Sequence, residues 1–600
     1  MDFAAPRSPW ARAIPVPRRE SLGRWVRESP SSLVPLALLI GAGTGLGAIV
    51  FRWLITAFTR LFTGVADYSA AGHAPSPHFP FLGMWFVLLV PVLAGAVYGP
   101  LVYWFAPEAR GHGVPEVMYA VAERGGRIPP QVSVVKALAS ALCIGGGGSV
   151  GREGPIVQIG AALGSTVGRL THLGGSRLRV LVACGAAGGI AATFNAPLAG
   201  PFFAMELILK DFAAESFGAV VLASVMASVV GRAVLGNNTF LSLPHFTLRN
   251  PIEYLLFIAL GVLVGVVGVV FSKTLYLIED ACDWAWRGPE WLRPAVGGLL
   301  IGGLLLALPE MYGVGYPVLE NAVQGKYVIG FLLILMVGKM LATSLAIGVG
   351  GSGGVFAPTL FVGAMAGTAF GDVVHTLLPT LTAPPGVYGL IGMGAALAGS
   401  TGAPITAVII LFELTGEYTI ILPLMTAVAM AAGTARILAK ETIYTGKLLR
   451  RGIDLDKPRH DDAFAGMTVQ QVADPVPTPL PDFTDLLSAA RTLSLSPYGM
   501  LPVVGTDGSY HGCVTARLVA ETLGDADTSD TTVADLATLP PVVTADATLT
   551  EALRALAGSA GTGLPVVDPT HTKLAGWITH ESVLSVFQNG RGTQQQGKGS

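Results

Sequence analysis

Charge is what this 600-residue chain has least of: Asp, Glu, Lys and Arg make up 13% of it, against about 25% in a soluble domain. That shortage excludes an ordinary water-soluble enzyme and a disordered chain. Cysteine is scarce as well. Cys143, Cys184, Cys282 and Cys513 stand far apart with no CxxC pair, which argues against a disulfide scaffold or a zinc site. No GxxxxGK[ST] stretch occurs, so no phosphate-gripping P-loop is expected. With neither a nucleophile–base set nor a metal-ligand cluster, the chain is not read as an enzyme, and no nucleic acid is expected among its partners.

Apolar residues, by contrast, make up 52%, with 77 Gly and 41 Pro but no collagen period. Between residues 327 and 412 the charges are Lys339 and Asp372 alone. Several bilayer crossings of about 20 apolar residues each account for such a window. The tail differs: residues 461–600 carry 15 acidic and 6 basic groups. An apolar membrane body is therefore joined to an acidic, water-facing tail. An Arg-rich arm (1–32) and a basic stretch (435–460) flank the body. Both are expected on the cytoplasmic side, by the excess of Lys and Arg there, of what is expected to be the plasma (inner) membrane. The Gln- and Gly-rich end, 591–600, has no periodicity and is expected to be disordered.

The body repeats itself. Gly148–Gly164 aligns without a gap on Gly351–Gly367, and Gly185–Leu207 aligns on Gly392–Leu414. Two matched blocks in one order predict two homologous halves, about 33–240 and 250–455. Gly/Pro-interrupted segments at matching places in two halves point to a transport site near the bilayer midplane. The tail repeats too: Leu501-Pro-Val-Val504 recurs as Leu564-Pro-Val-Val567, and Gly512-Cys-Val-Thr515 as Gly576-Trp-Ile-Thr579. Repeats over 465–525 and 530–590 are expected.

Three segments carry the chemistry. Gly145–Pro155 sets Arg152 and Glu153 in apolar surroundings, where ionisable groups are costly and default to function. Glycines expose backbone amides, and Pro155 suits the first turn of a helix. A helix start with free amides attracts anions. Gly351–Pro358 has the same form, and Gly111-His-Gly-Val-Pro115 makes a third. Lys136 reads equally as a buried positive field or as a bracing group. Glu413 and Glu417, four apart, are expected on one helical face, with Glu413 and its repeat mate Glu206 bracing helix ends or an interface.

These segments resemble the marker motifs GSGIP, G(K/R)EGP and GxFxP of the CLC family of chloride channels and chloride/proton antiporters. They stand here as Gly111–Pro115, Gly151–Pro155 and Gly354–Pro358, and the resemblance covers about 33–455. It implies an all-α polytopic body of about 18 helices in two inverted repeats with broken helices, assembled as a homodimer. It also implies a chloride site built from His112, Gly113, Arg152, Glu153, Gly154, Val355, Phe356 and Tyr444, with Glu153 as the gating glutamate. Two positions depart from the pattern. His112 replaces the family's central serine, which bears on anion preference and pH response. Leu207 stands where many antiporters carry a proton-relay glutamate, and a leucine holds no proton. It favours a channel or uncoupled transporter, with chloride/proton antiport as the alternative. The tail resembles an α/β pair of CBS domains. Such pairs often bind adenine nucleotides through a ribose-holding Asp, but Leu518 and Ser582 occupy that position here. No cofactor is therefore expected, with an adenine nucleotide at the CBS pair as the alternative, and the tail is read as regulatory or dimer-bracing.

Overall fold

Glycine and proline, so frequent in the sequence, set where the helices start and stop. A computed structural model describes residues 29–78, 80–236, 250–454, 467–524, 531–559, 562–568, 570 and 573–585. The Arg-rich arm through residue 28 and the segment 591–600 lie outside the described residues. The chain forms two units, Met1–Asp454 and Leu455–Ser600.

The first unit is all helical. Its first half runs α1 (Leu33–Thr63), α2 (Phe86–Phe105), α3 (Val114–Ala122), α4 (Gln131–Gly145), α5 (Glu153–Leu170), α6 (Gly175–Phe194), α7 (Ala199–Phe203) and α8 (Ala214–Leu235). The second runs α9 (Glu253–Ala285), α10 (Arg293–Ala307), α11 (Tyr316–Val323), α12 (Ile329–Gly348), α13 (Phe356–Leu377), α14 (Pro385–Thr401), α15 (Pro404–Thr415) and α16 (Ile421–Leu438), and α17 (Thr445–Arg450) closes the unit. These are 17 helices among the described residues, close to the 18 implied by the resemblance. Eight are long and apolar enough to cross a membrane, and the others are shorter or, like α5, less apolar. The halves match helix for helix, α1 to α9 through α8 to α16. Prolines sit in the first turn of α3, α10, α11, α14 and α15, where no amide partner is lost. Left-handed glycines Gly64, Gly402 and Gly416 end α1, α14 and α15.

Close helix packing accounts for many of the remaining glycines. A Cβ on Gly160 of α5 would strike the carbonyl of Gly185 on α6, and the repeat-related pair Gly363 and Gly392 meets in the same way on α13 and α14. Small residues at such crossings let backbones approach and gain van der Waals contact, the main attraction between helices in lipid.

The halves also cap each other. Glu206, in the π-helical turn Ala204–Leu209 after α7, accepts from the amides of Ile405 (3.1 Å) and Thr406 (2.8 Å) and from the Thr406 hydroxyl (2.7 Å) at the start of α15. Glu413 on α15 accepts from the amides of Leu198 and Ala199 at the start of α7. The two carboxylates satisfy donors that a helix start leaves without partners. Glu417 does not share their face: α15 ends at Thr415, and Gly416 at φ +68 turns the chain first.

The tail unit holds two three-stranded sheets of one design. β1 (Leu480–Pro481) pairs parallel with β2 (Met500–Val504), which pairs antiparallel with β3 (Tyr510–Thr515). β4 (Val543–Thr544), β5 (Gly563–Val567) and β6 (Leu574–Thr579) repeat the pattern, down to the irregularity at Val566/Val567 that mirrors Val503/Val504. Four helices accompany the sheets: α18 (Leu486–Leu495), α19 (Ala516–Leu523), α20 (Val533–Leu536) and α21 (Leu549–Ala557). Each repeat lends a segment to the other. Val469 packs in the core of β4–β6, and Val533 in the core of β1–β3. The cores therefore cross the boundary near 525–530 that the sequence repeat marks.

Two predictions follow from these caps. Glu413→Ala destabilises the membrane unit by roughly 0.5–2 kcal/mol, the usual effect of losing a helix cap. A thermal midpoint in detergent lower than that of Glu417→Ala checks it. In the tail, capping boxes at Thr532/Asp535 and Thr548/Glu551 hold both carboxyls below their usual range through bonds from the threonine backbone and hydroxyl. A depressed carboxylate stabilises the fold above its unfolded pKa, and that contribution fades as pH falls through the folded value. The tail's melting, followed by circular dichroism, is expected to soften below about pH 4, and less so in Glu551→Ala.

Candidate anion site

Helix starts inside a membrane leave amides that water does not reach, so the loops before them must pair with something. Here they pair with each other. Gly151 and Gly354 exchange reciprocal backbone hydrogen bonds of 2.7 Å each, which brings the starts of α5 and α13 together. The Gly111 amide donates to the Gly351 carbonyl (3.1 Å), and the Gly353 amide to the Gly111 carbonyl (3.3 Å), which adds the loop before α3. All three motif segments thus converge. Gly154 is fixed between the His112 carbonyl and the Gly354 Cα, 2.9 Å from where a Cβ would lie. Gly113 caps α3 at φ +86, and a Cβ there would sit 2.6 Å from the Gly154 carbonyl.

Two buried lysines brace these loops from equivalent places in the two halves. Lys136 on α4 donates to the carbonyls of Ala109 and Gly111, both at 2.8 Å. Lys339 on α12 donates to those of Gly313 (3.1 Å) and Val314 (3.0 Å). The bracing reading of Lys136 is realised, but toward carbonyls and not as a salt bridge. Ser352 adds a bond from its hydroxyl to Ala109 (2.7 Å) and lies 2.9 Å from the Ser140 hydroxyl.

The expected site residues fall around this junction. His112, Glu153, Val355, Phe356 and Tyr444 are all 1% exposed or less. Both ring nitrogens of His112 and the Tyr444 hydroxyl are buried with no hydrogen-bond partner among the described residues. Buried polar atoms are seldom left so, and these fit a small anion that accepts from both. The amides of Glu153, Gly154, Val355 and Phe356 stand at the starts of α5 and α13, where the helix dipole adds partial positive charge. The Phe356 ring packs with Phe194 and Phe203, centroids 5.6 and 6.4 Å apart, an apolar wall beside the junction. Leu207 is buried in the π-helical turn, one residue after the capping Glu206.

Cations stand on both approaches. Beyond Glu153 lies a cavity of about 470 Å³ lined by Arg52, Arg152, Asn195, Arg232 and Tyr316 among others. On the His112 side, Lys447 and Arg451 meet Glu116 at 3.8 and 2.9 Å, and the Lys447 ammonium lies close to Gly111. Sequence reasoning missed Tyr316, whose hydroxyl donates to Glu153 Oε1 at 2.5 Å. The signal was present: Gly313-Val-Gly-Tyr-Pro317 repeats the Gly-x-Gly-x-Pro form of Gly111–Pro115, and Gly315 takes φ +86 as Gly113 does.

With this geometry in hand, comparison with known proteins decides the family. Residues 94–436 match the family model described as "Voltage gated chloride channel". The chain belongs to the CLC family. Residues 533–589 match the CBS domain model, and the sheet pattern repeated at 480–515 makes the tail a CBS pair. The H(+)/Cl(-) exchange transporter ClcA of Vibrio vulnificus is 36% identical over 446 residues, 72% of this chain and 92% of that one. ClcA of Vibrio parahaemolyticus is 37% identical over 393 residues, 64% and 83% of the two chains. Among solved structures, a slow cyanobacterial Cl-/H+ antiporter aligns with TM-score 0.61 and 27% identity over 70% of this chain and 97% of its own. A eukaryotic CLC transporter aligns over 94% of this chain and 99% of its own, with TM-score 0.60 and 21% identity, a likeness of fold. As a CLC protein the chain is a multi-pass integral membrane protein, and the family comprises channels and secondary transporters, not enzymes. In its CBS pair the adenine-nucleotide pattern is not met: Leu518 offers no carboxylate, and the Ser582 hydroxyl is bonded to Asp474 and Thr579.

The crossing at Gly154 gives a sharp expectation. Gly154→Ala drives a methyl into the His112 carbonyl and abolishes chloride efflux from liposomes. Gly303→Ala, whose Cβ meets open space, leaves efflux intact.

Proposed function

We propose that this CLC protein exchanges chloride for protons across the membrane, with Glu153 as the gate that carries the proton on its side of the anion site. One observation carries the reading: three helix-start loops converge beside His112 and Glu153, and the His112 ring nitrogens and the Tyr444 hydroxyl, itself within electrostatic reach of Glu153, are buried with no hydrogen-bond partner among the described residues. A carboxylate there competes with chloride for the same amides, and protonation removes its claim. Chloride is held by the amides of Glu153, Gly154, Val355 and Phe356 and by the Tyr444 hydroxyl, with Gly113 giving room, Arg152 adding positive field and His112 donating through a ring N–H in place of serine.

Leu207 taken alone favours conduction. The exchange transporters among the relatives favour antiport, and that alternative becomes the main reading. Leu207 is apolar and Glu206 is committed to the start of α15, so neither serves as the inner proton carrier. Water takes that role in the exchange reading. The working protein is a homodimer in the plasma membrane with both termini cytoplasmic. Exposed apolar side chains on α8 and α16, such as Val229 and Leu422, support a surface for the second copy.

The test uses purified protein in liposomes loaded with chloride. Exchange predicts proton uptake against its gradient during chloride efflux. In Glu153→Gln, proton movement ceases and chloride flux loses its pH dependence. Chloride efflux without proton uptake in the unmodified protein returns the reading to conduction. His112→Ser should change the ranking of chloride against nitrate and bromide, and an unchanged ranking removes His112 from the site.

A further inference from the structure

We propose that Tyr316 is a positioning residue for the gate: its hydroxyl donates to the ionised Glu153 carboxylate and latches that side chain on the Arg152 side of the anion site. The proposal rests on the reading of Glu153 as gate.

The contact is direct, Tyr316 Oη to Glu153 Oε1 at 2.5 Å, while Glu153 Oε2 is buried with no hydrogen-bond partner among the described residues. Arg152 bears on both groups. Its guanidinium lies over the Tyr316 ring, 5.1 Å from the centroid, and its Nε is 3.8 Å from the same Oε1. A cation over a ring face holds that ring in place.

The tyrosine is anchored from behind. It opens α11, after Gly315 and before Pro317. The loop leading to it is tied down at Gly313 and Val314 by Lys339. Release of the latch therefore moves the glutamate and not the tyrosine. The bond holds the carboxylate in the closed position, and the gate leaves when that bond is given up.

Other groups act on the same carboxylate. Arg152 and Arg52 on α1 bring positive charge to the Tyr316 side. Lys339 on α12 and the Tyr444 hydroxyl are within electrostatic reach, and the His112 backbone abuts the start of α5. Of these, Tyr316 is the group shown donating a hydrogen bond to Glu153. In the first half, the position equivalent to Tyr316 is Val114, which has no hydroxyl. The latch thus belongs to one side of the site.

The experiment measures chloride efflux from liposomes between pH 4 and 8 for the unmodified protein, Tyr316→Phe, Tyr316→Leu, Glu153→Gln and the double variant Glu153→Gln/Tyr316→Phe. Without the donor the gate leaves more readily. Both Tyr316 variants are expected to raise flux at neutral pH and to move half-maximal activation upward by roughly one pH unit, about tenfold in proton concentration. In the Glu153→Gln background, Tyr316→Phe should add nothing. Profiles of both Tyr316 variants that superimpose on the unmodified protein, while Glu153→Gln flattens its own, overturn the latch and leave the gate standing. An equal effect of Tyr316→Phe with and without Glu153 makes the role structural and also overturns the latch. A Glu153→Gln profile unchanged from the unmodified protein removes the gate reading, and the latch with it.

Discussion

Everything in the membrane unit depends on the exchange of two backbone hydrogen bonds between Gly151 and Gly354. Broken helices at membrane depth are tolerable only if the loose backbone is buried in protein or lines a cavity. The reciprocal pair achieves that for two loops at once. It pairs the amides just before the helix starts and brings the first turns of α5 and α13 together. Each glycine nearby serves this crossing. A side chain at Gly154 or Gly113 would push the loops apart, and with them the two helix dipoles whose partial charges attract an anion.

The same logic of reciprocity runs through the fold. Glu206 caps α15, which bears Glu413, and Glu413 caps α7, which leads into Glu206, while Lys136 and Lys339 each clamp the loop before a short Gly-x-Gly-x-Pro helix start. The fully buried lysine charges are tolerable because they are given to backbone carbonyls that would otherwise lack partners. Where the halves differ, the difference has chemical content. His112 faces Val314 across the repeat, and Tyr316 faces Val114. In the proposed reading one loop brings a ring donor to the anion site and the other a hydroxyl to the gate, which gives a nearly two-fold scaffold a direction.

The membrane class, the doubled body and the three converging segments were legible because each left a pattern: few charges, two matched blocks, and Gly-rich runs ending in proline. The tail's repeat was legible from Leu501–Val504 and Leu564–Val567. Its exchanged segments were not, since Val469 and Val533 read locally as part of their own repeats and only the packed cores reveal the swap. Glu417 was misplaced because a spacing of four implies a shared face only inside one helix, and Gly416 ends that helix first. Tyr316 was overlooked for a different reason. The Gly-x-Gly-x-Pro form at Gly313–Pro317 marks its loop as the mate of Gly111–Pro115, but the repeat mate of Tyr316 is an apolar valine, and only the packed loops show the hydroxyl reaching a carboxylate 163 positions away.

Leu207 poses the remaining physical question about coupling. A proton that leaves Glu153 toward the other side must pass a stretch where the expected carrier is a buried leucine in a π-helical turn, preceded by a glutamate already holding a helix start. Drawing Glu206 into proton carriage would strip α15 of its cap and loosen the junction of the two halves, so the fold opposes that route. Chloride itself provides another. Lys447, Arg451 and Arg110 gather positive charge beside the Gly111 loop, each balanced by a carboxylate, and in the exchange reading water entering with the anion is what the proton moves through. Coupling then depends on how often water, rather than a fixed carboxyl, meets the unlatched glutamate. That is a weaker constraint than a dedicated relay, and it makes tight stoichiometry harder to keep than chloride flux itself.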